Sequence, residues 1–320
     1  MKALARILAP LFGLIAVTVL FALLTGAPER YLSTTNLRVV LAQTVIVAIA
    51  ALGMTLIIIS AGIDLSVGSS IALSSVVTAV ALRGGLPPLV ALACGVVTGA
   101  VLGLVNGLAI TALRVVPFIA TLGTLGIARG LAKYVADQQT VNVPATWINE
   151  LAVTFPSRPR LLFAPGVWLT VILAAIMTLV LRNTVFGRRV FALGSNEAAA
   201  RACGIATRRL KIQVYALAGL FFGLAGVTQM SRLRQGDPTV AVGTELDVIA
   251  AVVIGGGSLN GGEGSIPGAI IGALIMSLLR NGCQQMGWPN YVQEIIIGTI
   301  IVIAVAADRY RASRAAESTS

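Results

Sequence analysis

The side chains best placed for chemistry in this sequence surround Asp64, a carboxylate that follows a long apolar run. Gly62, Ser66 and Gly68 flank it, and a new apolar segment begins directly afterwards. An aspartate just before a helix can accept backbone N–H bonds and match the helix dipole, which makes Asp64 a candidate N-terminal cap. Ionisable groups inside apolar segments are rare and often functional, so a direct contact with a polar solute is the second interpretation.

Further polar and aromatic side chains interrupt the apolar segments. Neutral donors and acceptors of this kind either bond neighbouring helices to each other or bind a sugar-sized solute. Both roles are open for Ser66, Asn106, Thr121 and Asn281. The candidate substrate-pathway residues are these four with the carboxylate Asp64 and the aromatic Phe118.

Residue types on which enzymes and metal sites depend are scarce. The sequence has no histidine, and its three cysteines, Cys94, Cys203 and Cys283, stand far apart. We therefore expect no catalytic residue, no metal site and no disulfide framework. The GxxxxGK(S/T) phosphate loop is also missing, so we expect no cofactor in this chain. Any ATP-driven function would need ATP and Mg²⁺ bound by a partner ATPase.

A glycine-rich segment separates two apolar stretches in the last third of the chain. Six of the ten residues from 255 to 264 are glycine, a composition that cannot hold a stable helix. It is either a compact connector or, with the interruption near Asp64, one of a pair of breaks that mark a site near the middle of the membrane. The predicted structural turn contains Gly255, Gly256, Gly257, Gly261 and Gly262.

The most basic segment, residues 183–209, contains a short helical pattern. Asn196 is a candidate N-cap, Glu197 places a negative charge in the first turn, and Gly204 ends the pattern after a run of alanines. An exposed helix of this kind either docks into a groove of a partner protein or lies at the lipid headgroups. The residues assigned to docking are Gly194, Asn196, Glu197, Ala198, Ala199 and Gly204.

The composition places most of the chain in a membrane. Hydrophobic residues make up 57% of the 320 residues and charged residues only 11%, whereas soluble domains average roughly 25% charged. The net charge of +11 arises mainly from Arg at the ends of apolar runs, so we expect contact with membrane lipid and none with nucleic acid. We predict an all-α integral membrane fold with about ten transmembrane helices, some broken or re-entrant. They lie near 7–24, 38–60, 65–82, 86–110, 117–136, 164–182, 210–230, 244–257, 265–280 and 290–307.

The distribution of Lys and Arg predicts the orientation. An even number of spans puts both termini on one side, and the positive charge of cytoplasmic loops makes that side the cytoplasm. The result is a single transmembrane domain, 1–320. Its cytoplasmic loop lies at about 183–209, its periplasmic loop at about 137–163 and its cytoplasmic tail at 308–320.

Five segments resemble, in the same order, the permease subunits of ribose-type ABC sugar importers. GIDLSVG and GSNEAA are the most specific parts, and the glycine-rich segment supports them. The segments are GMTLIIISAGIDLSVGS at 53–69, GLVNGLAI at 103–110, VPFIATLGTLGIARG at 116–130, FGRRVFALGSNEAAARACGI at 186–205 and ELDVIAAVVIGGGSLNGGEGSIPGAIIGA at 245–273.

The resemblance implies a transmembrane subunit that moves a monosaccharide, ribose or a related sugar, across the bacterial inner membrane. Its partners would be a second permease subunit (identical or a sister), two cytoplasmic ATP-binding subunits and a periplasmic sugar-binding protein. The helix at 196–204 would be the coupling helix, which rests in a cleft of the ATPase. The alternative is a stand-alone secondary transporter or channel for a small polar solute, in which Asp64 is the candidate ion-coupling carboxylate.

Overall fold

The computed structural model describes residues 2–154 and 162–317, and nearly all of their regular structure is helical. The helices in chain order are α1 (Lys2–Leu24), α2 (Pro28–Tyr31), α3 (Thr34–Ile59), α4 (Val67–Arg83), α5 (Pro88–Ala112), α6 (Pro117–Val135), α7 (Pro165–Asn183), α8 (Val185–Ser195), α9 (Glu197–Ala202), α10 (Thr207–Leu233), α11 (Thr244–Ile254), α12 (Ile266–Gln285) and α13 (Asn290–Glu317). A 3₁₀ turn at Trp147–Glu150 and two short strands, β1 (Val141–Asn142) and β2 (Gln235–Gly236), accompany them. Part of the predicted periplasmic loop, 155–161, and the end of the predicted tail, 318–320, lie outside the described residues.

A helix occupies each of the ten predicted apolar stretches. Five of them, α3, α5, α7, α10 and α12, have the length and apolar composition needed to cross a membrane. Helix α11 has 11 residues, which at 1.5 Å per residue is roughly half of a hydrocarbon core of about 30 Å. The fold is therefore that of an all-α membrane protein, and the count of ten spans stays a prediction.

Helix α3 forms the centre of the described structure. It packs against α7, α10, α11 and α12, and the side chains of Ala48–Leu52 and Leu56–Ile59 are completely buried. A helix that is apolar on every side must be surrounded by other helices or by lipid. Here its neighbours are protein, so α3 holds the residues that follow Ile59 in a fixed position.

Helices α5 and α10 approach each other through glycine. Gly99 and Gly103 of α5 face Gly219 and Gly223 of α10, and a Cβ at Gly99 would overlap the backbone of both partners. Small residues four apart let two helix backbones approach closely within a membrane. This contact fixes α10, the helix that begins beside α9, against the helix that carries Asn106.

The loops gather at two ends of the helical bundle. At one end β1 pairs with β2 in an antiparallel register that places Val141 opposite Gly236. At the other end the backbone N–H of Gly262 donates to the carbonyl oxygen of Ile59 at 2.8 Å. The assignment of this second end, which also carries α8 and α9, to the cytoplasm stays a prediction from the charge pattern.

Candidate functional site

Asp64 is the centre of a buried polar cluster in the segment between α3 and α4. Its side chain is 1% exposed. One carboxylate oxygen, Oδ1, accepts the backbone N–H of Ser66 at 2.7 Å and the Ser66 hydroxyl at 2.6 Å. The other oxygen accepts the side-chain amide of Asn106 at 3.1 Å, and the same amide donates to Ser66 Oγ at 2.9 Å. The cluster therefore bonds the break after α3 to the C-terminal part of α5.

The capping role of Asp64 differs from the one expected from the sequence. The N-cap of α4 is Ser66, and its side chain makes no capping bond. Asp64 lies two residues earlier and closes a turn on Ser66, which is a common arrangement for aspartate in tight turns. Its carboxylate thus fixes the chain as it enters α4 without binding the N–H groups of the first helical turn.

Thr121 extends the cluster to a third helix, whereas Phe118 does not belong to it. The hydroxyl oxygen of Thr121 accepts the backbone N–H of Leu65 at 3.2 Å. Phe118, one turn earlier on α6, is 47% exposed. Of the six pathway candidates, the structure brings together Asp64, Ser66, Asn106 and Thr121.

Asn281 lies in a separate polar contact. Its amide and that of Asn36 exchange hydrogen bonds at 2.9 and 3.0 Å, and Asn36 also donates to the carbonyl of Tyr31 at 2.7 Å. These bonds join α12 to the start of α3, the end opposite Asp64. Asn281 therefore bonds two helices in this conformation and shares no contact with the Asp64 cluster.

Tyr215 is a neighbour of Asp64 that the sequence did not single out. It is buried on α10, and its hydroxyl has no hydrogen-bond partner within the described part of the chain. A Cβ at Gly62 would lie 2.6 Å from that hydroxyl, so glycine is the residue that lets the tyrosine reach the break. The only signal in the sequence is its position four residues after Lys211, which puts both on one face of α10.

The predicted docking helix is present as α9. The side-chain oxygen of Asn196 accepts the N–H of Ala199 at 2.9 Å and so caps it. Ala198 and Ala199 are exposed, whereas Gly194 is buried before the helix begins. Gly204 has a positive φ of 81° and lies after the last turn, where glycine tolerates the left-handed conformation.

Glu197 fixes α9 to the transmembrane helices. Its carboxylate binds Lys211 of α10 at 2.7 Å and Arg201 at 3.2 Å. Partial burial alone would raise the pKa of Glu197, but the hydrogen bonds and charges of Lys211 and Arg201 outweigh it and hold this pKa below its usual value. The glutamate is therefore ionised at neutral pH and connects α9 to the start of α10.

The segment before α9 is a second helix, α8, where the sequence predicts a loop. Thr184 caps it by accepting the N–H of Gly187 at 3.2 Å, and Gly187, Val190, Leu193 and Gly194 form its buried side. The spacing of these residues is that of one helix face, a signal that the basic residues between them obscured. The basic segment therefore consists of two consecutive helices, α8 and α9, with Asn196 between them.

The glycine-rich turn connects this loop to the break after α3. We call the contact of Ile59, Gly194, Gly261 and Gly262 the glycine junction. Gly261 and Gly262 have positive φ angles of 85° and 73°, and a Cβ at Gly261 would lie 2.7 Å from the Gly194 carbonyl oxygen. The turn is thus more than a connector between α11 and α12.

At the other positions of the turn, glycine is required by the local backbone angle or by a nearby atom. Gly256 has a φ of 90°, which favours glycine. A Cβ at Gly255 would overlap the backbone of Gly268 on α12, and one at Gly257 would lie 2.7 Å from the Val252 side chain. Gly255 thus lets α11 and α12 approach each other, whereas Gly256 and Gly257 serve the local path of the turn.

A cavity of about 200 Å³ lies between the break after α3 and helix α9. Its walls include Gly62, Asn196, Glu197, Lys211 and Tyr215. It leaves space in which α9 and the 60–62 backbone can move relative to each other. Within the described residues no group of three or more Cys, Asp or Glu side chains is arranged to hold a metal ion.

Comparison with known proteins identifies the family. A family model described as "Branched-chain amino acid transport system / permease component" matches residues 36–305. The chain belongs to this permease family. The matched range includes the Asp64 cluster, α8, α9 and the glycine-rich turn, so every part of the candidate site lies within it.

Individual relatives agree with the family. The permease is 41% identical over 296 residues to the ribose import permease protein RbsC of Escherichia coli (strain K12), with 92% of each chain covered. It is 40% identical over 307 residues to RbsC of Bacillus subtilis (strain 168), and this alignment covers 96% of the permease and 94% of its relative. It is 34% identical over 306 residues to the fructose import permease protein FrcC of Rhizobium meliloti, with 94% and 84% covered.

These matches confirm the resemblance to ribose-type permeases that the five sequence segments indicated. With its apolar helices, the permease is a multi-pass protein of the inner membrane. No solved structure matches it at a significant level.

Proposed function

We propose that the permease is the transmembrane subunit of an ATP-binding cassette importer that translocates a monosaccharide, ribose or a related sugar. The observation that carries this proposal is α9, a capped helix with exposed Ala198 and Ala199 whose base is held by Lys211. A short helix with a small, exposed apolar face fits a groove on a partner. In this proposal α9 is the coupling helix, and α9 and both termini face the cytoplasm.

The energy for transport would come from partner chains. These 320 residues contain no phosphate loop, so two cytoplasmic ATP-binding subunits would bind ATP and Mg²⁺. A second permease subunit would complete the pathway, and a periplasmic sugar-binding protein would deliver the solute. Movement of α9 would then pass to the Asp64 break through the glycine junction and through Lys211 of α10.

The names of the relatives support a sugar as the solute, since they are import permeases for ribose, fructose and L-arabinose. The Asp64 cluster supplies hydroxyl, amide and carboxylate groups of the kind that bind sugar hydroxyls. In the described conformation these groups bond to each other. We infer that they become available to solute when α4, α5 and α6 move apart.

The coupling assignment is tested by Asn196→Ala with Glu197→Ala in one chain. Loss of an Asn cap costs about 1 kcal/mol, and a six-residue helix that also loses its bonds to Lys211 and Arg201 should fray. We expect the double variant to insert in the membrane normally. It should lose most of its co-purification with the ATP-binding subunit and most ATP-dependent sugar uptake in proteoliposomes.

Asp237→Ala is the matched control. It removes a half-buried carboxylate that accepts the N–H of Thr239 at 2.8 Å, at the end of the bundle opposite α9. Normal ATPase association and uptake by the double variant would show that α9 is not the coupling helix. Sugar uptake by the permease alone, without an ATP-binding subunit, would instead identify a stand-alone transporter.

A further inference from the structure

A second cavity, of about 460 Å³, lies beside α9 and carries an excess of positive charge. Its charged lining consists of Arg114, Arg201, Arg208, Lys211 and Glu197, which is four cations and one carboxylate. Arg114 comes from the turn between α5 and α6, and Arg208 and Lys211 from the first five residues of α10. Cations are thus brought to one space by three separate parts of the chain.

The bonds of these cations leave most of the positive charge uncompensated. Lys211 and Arg201 share the single carboxylate of Glu197. The Arg208 guanidinium donates to the carbonyl oxygen of Thr111 at 3.0 Å, a bond that orients it without neutralising it. The side chain of Arg114 has no ion-pair or hydrogen-bond partner among residues 2–154 and 162–317. Like charges around one cavity repel each other, so an anion bound there would be stabilised.

We propose that this cavity is a binding site for a phosphate-bearing anion, supplied by the headgroup of an anionic phospholipid. Guanidinium groups present several N–H donors in a plane and match phosphate oxygens in pairs. Basic pockets between transmembrane helices are a recognised way to bind lipid phosphates. A neutral sugar would not need four cations, so the site is distinct from the proposed sugar pathway.

The surface next to the cavity favours a lipid over free phosphate. Leu113 is 71% exposed, Val116 60% and Ile119 59%, and all three lie at or beside the α5–α6 turn that supplies Arg114. Acyl chains could lie along these apolar side chains while the headgroup phosphate enters the cavity. Inorganic phosphate would use the same cations but would leave this apolar surface without a role.

The test compares binding by the full-length permease and by a variant that carries Arg114→Gln and Arg208→Gln. Phosphatidylglycerol and phosphatidylcholine are titrated separately and bound lipid is counted by native mass spectrometry, while inorganic phosphate is titrated by calorimetry. A basic residue near a lipid surface contributes a factor of about five in affinity, so the double variant should bind phosphatidylglycerol about 30-fold more weakly. The matched control is Arg209→Gln, which removes an exposed arginine adjacent to Arg208 that does not line the cavity.

The outcomes separate the possible occupants. Tight binding of phosphatidylglycerol but not phosphatidylcholine, lost in the double variant and kept in the control, supports a lipid site. Binding of inorganic phosphate with the same pattern supports the anion site with free phosphate as its source. Equal phosphatidylglycerol binding by all three proteins overturns the proposal.

The proposal is also overturned if the double variant binds lipid and phosphate normally but loses its association with the ATPase, since the cations would then serve the partner protein. The proposal itself does not require the ATPase, so it can fail while the proposed function stands.

Discussion

Replacing Gly194 with alanine is the most direct perturbation of the glycine junction. The added Cβ would overlap the carbonyl oxygen of Ile59 and would lie 2.8 Å from the Ile59 carbonyl carbon and 2.6 Å from the Gly262 nitrogen. All three are backbone atoms, so none can move away by a change of rotamer. Relief requires that α8 separate from α3 or that the turn at Gly262 shift.

The expected cost follows from three effects. Overpacking a tight contact costs about 1–3 kcal/mol. Weakening the bond from Gly262 N–H to the Ile59 carbonyl, now 2.8 Å, costs about 0.5–1.5 kcal/mol. The higher helix propensity of alanine offsets up to about 1 kcal/mol of this cost, because Gly194 lies within helix α8. The net destabilisation is about 2 kcal/mol, which at about 2 °C per kcal/mol for a chain of this size lowers the melting temperature by roughly 4 °C.

Gly126→Ala is the matched control for this substitution. Gly126 lies within helix α6, and a Cβ there would meet no atom within 4 Å. We expect the control to be neutral or slightly stabilising, because alanine favours the helix. Thermal unfolding of both purified variants, followed by intrinsic fluorescence, makes the comparison. Reconstituted with an ATP-binding subunit, Gly194→Ala should also lose sugar-dependent stimulation of ATP hydrolysis. Equal melting temperatures and equal stimulation in the two variants would refute a junction formed by close backbone contact.

Two further predictions concern charge. Asp64→Asn places an amide NH₂ against the amide of Asn106, now a 3.1 Å hydrogen bond. The substitution should therefore lower the free energy of unfolding by about 1–3 kcal/mol. Sugar uptake should fall well below that of the control Asp137→Asn, which changes an exposed residue. Equal uptake by the two variants would show that Asp64 is a replaceable turn residue. Glu197 has a depressed pKa, so its stabilising bonds are fully present above the usual Glu value near pH 4.3 and are lost as the pH falls through the lower folded value. ATPase association should thus be constant from pH 7 to about 5.5, and a Glu197-dependent decline within that range, absent in Glu197→Gln, would contradict the assignment.

The helices could be located from sequence because their signals are local. Each apolar stretch ends at proline, glycine or charge, and α5, α6 and α7 each begin at a proline, where the missing N–H is not needed. The Asn196 cap was equally readable, because cap and first turn are adjacent in sequence. Helix α8 was not predicted although its buried residues recur with helical spacing, because the arginines between them mask the apolar face.

The contacts between these elements were not readable, because they join residues far apart in the chain. Nothing in the sequence pairs Asn281 with Asn36 or separates it from Asp64. The same is true of β1 and β2, two residues each, whose partners are selected only by the packing of the helices that carry them. A pattern shows which groups are polar and buried, whereas the neighbours of those groups depend on how the helices are arranged in space.

Two separate connections run from α9 to the Asp64 break, and they differ in stiffness. Through Gly194, Ile59 and Gly262 the contact is between backbone atoms, which do not yield, so displacement of α8 must displace the end of α3. Along α10 the connection is softer, because it passes from the Glu197–Lys211 ion pair to the buried Tyr215 beside a cavity of about 200 Å³. The Tyr215 hydroxyl has no hydrogen-bond partner among the described residues. A stiff contact transmits movement, while a soft contact with free space permits a second arrangement. Under the proposed function, this combination suits α9 as the helix that a partner ATPase displaces and the Asp64 break as the segment that changes conformation.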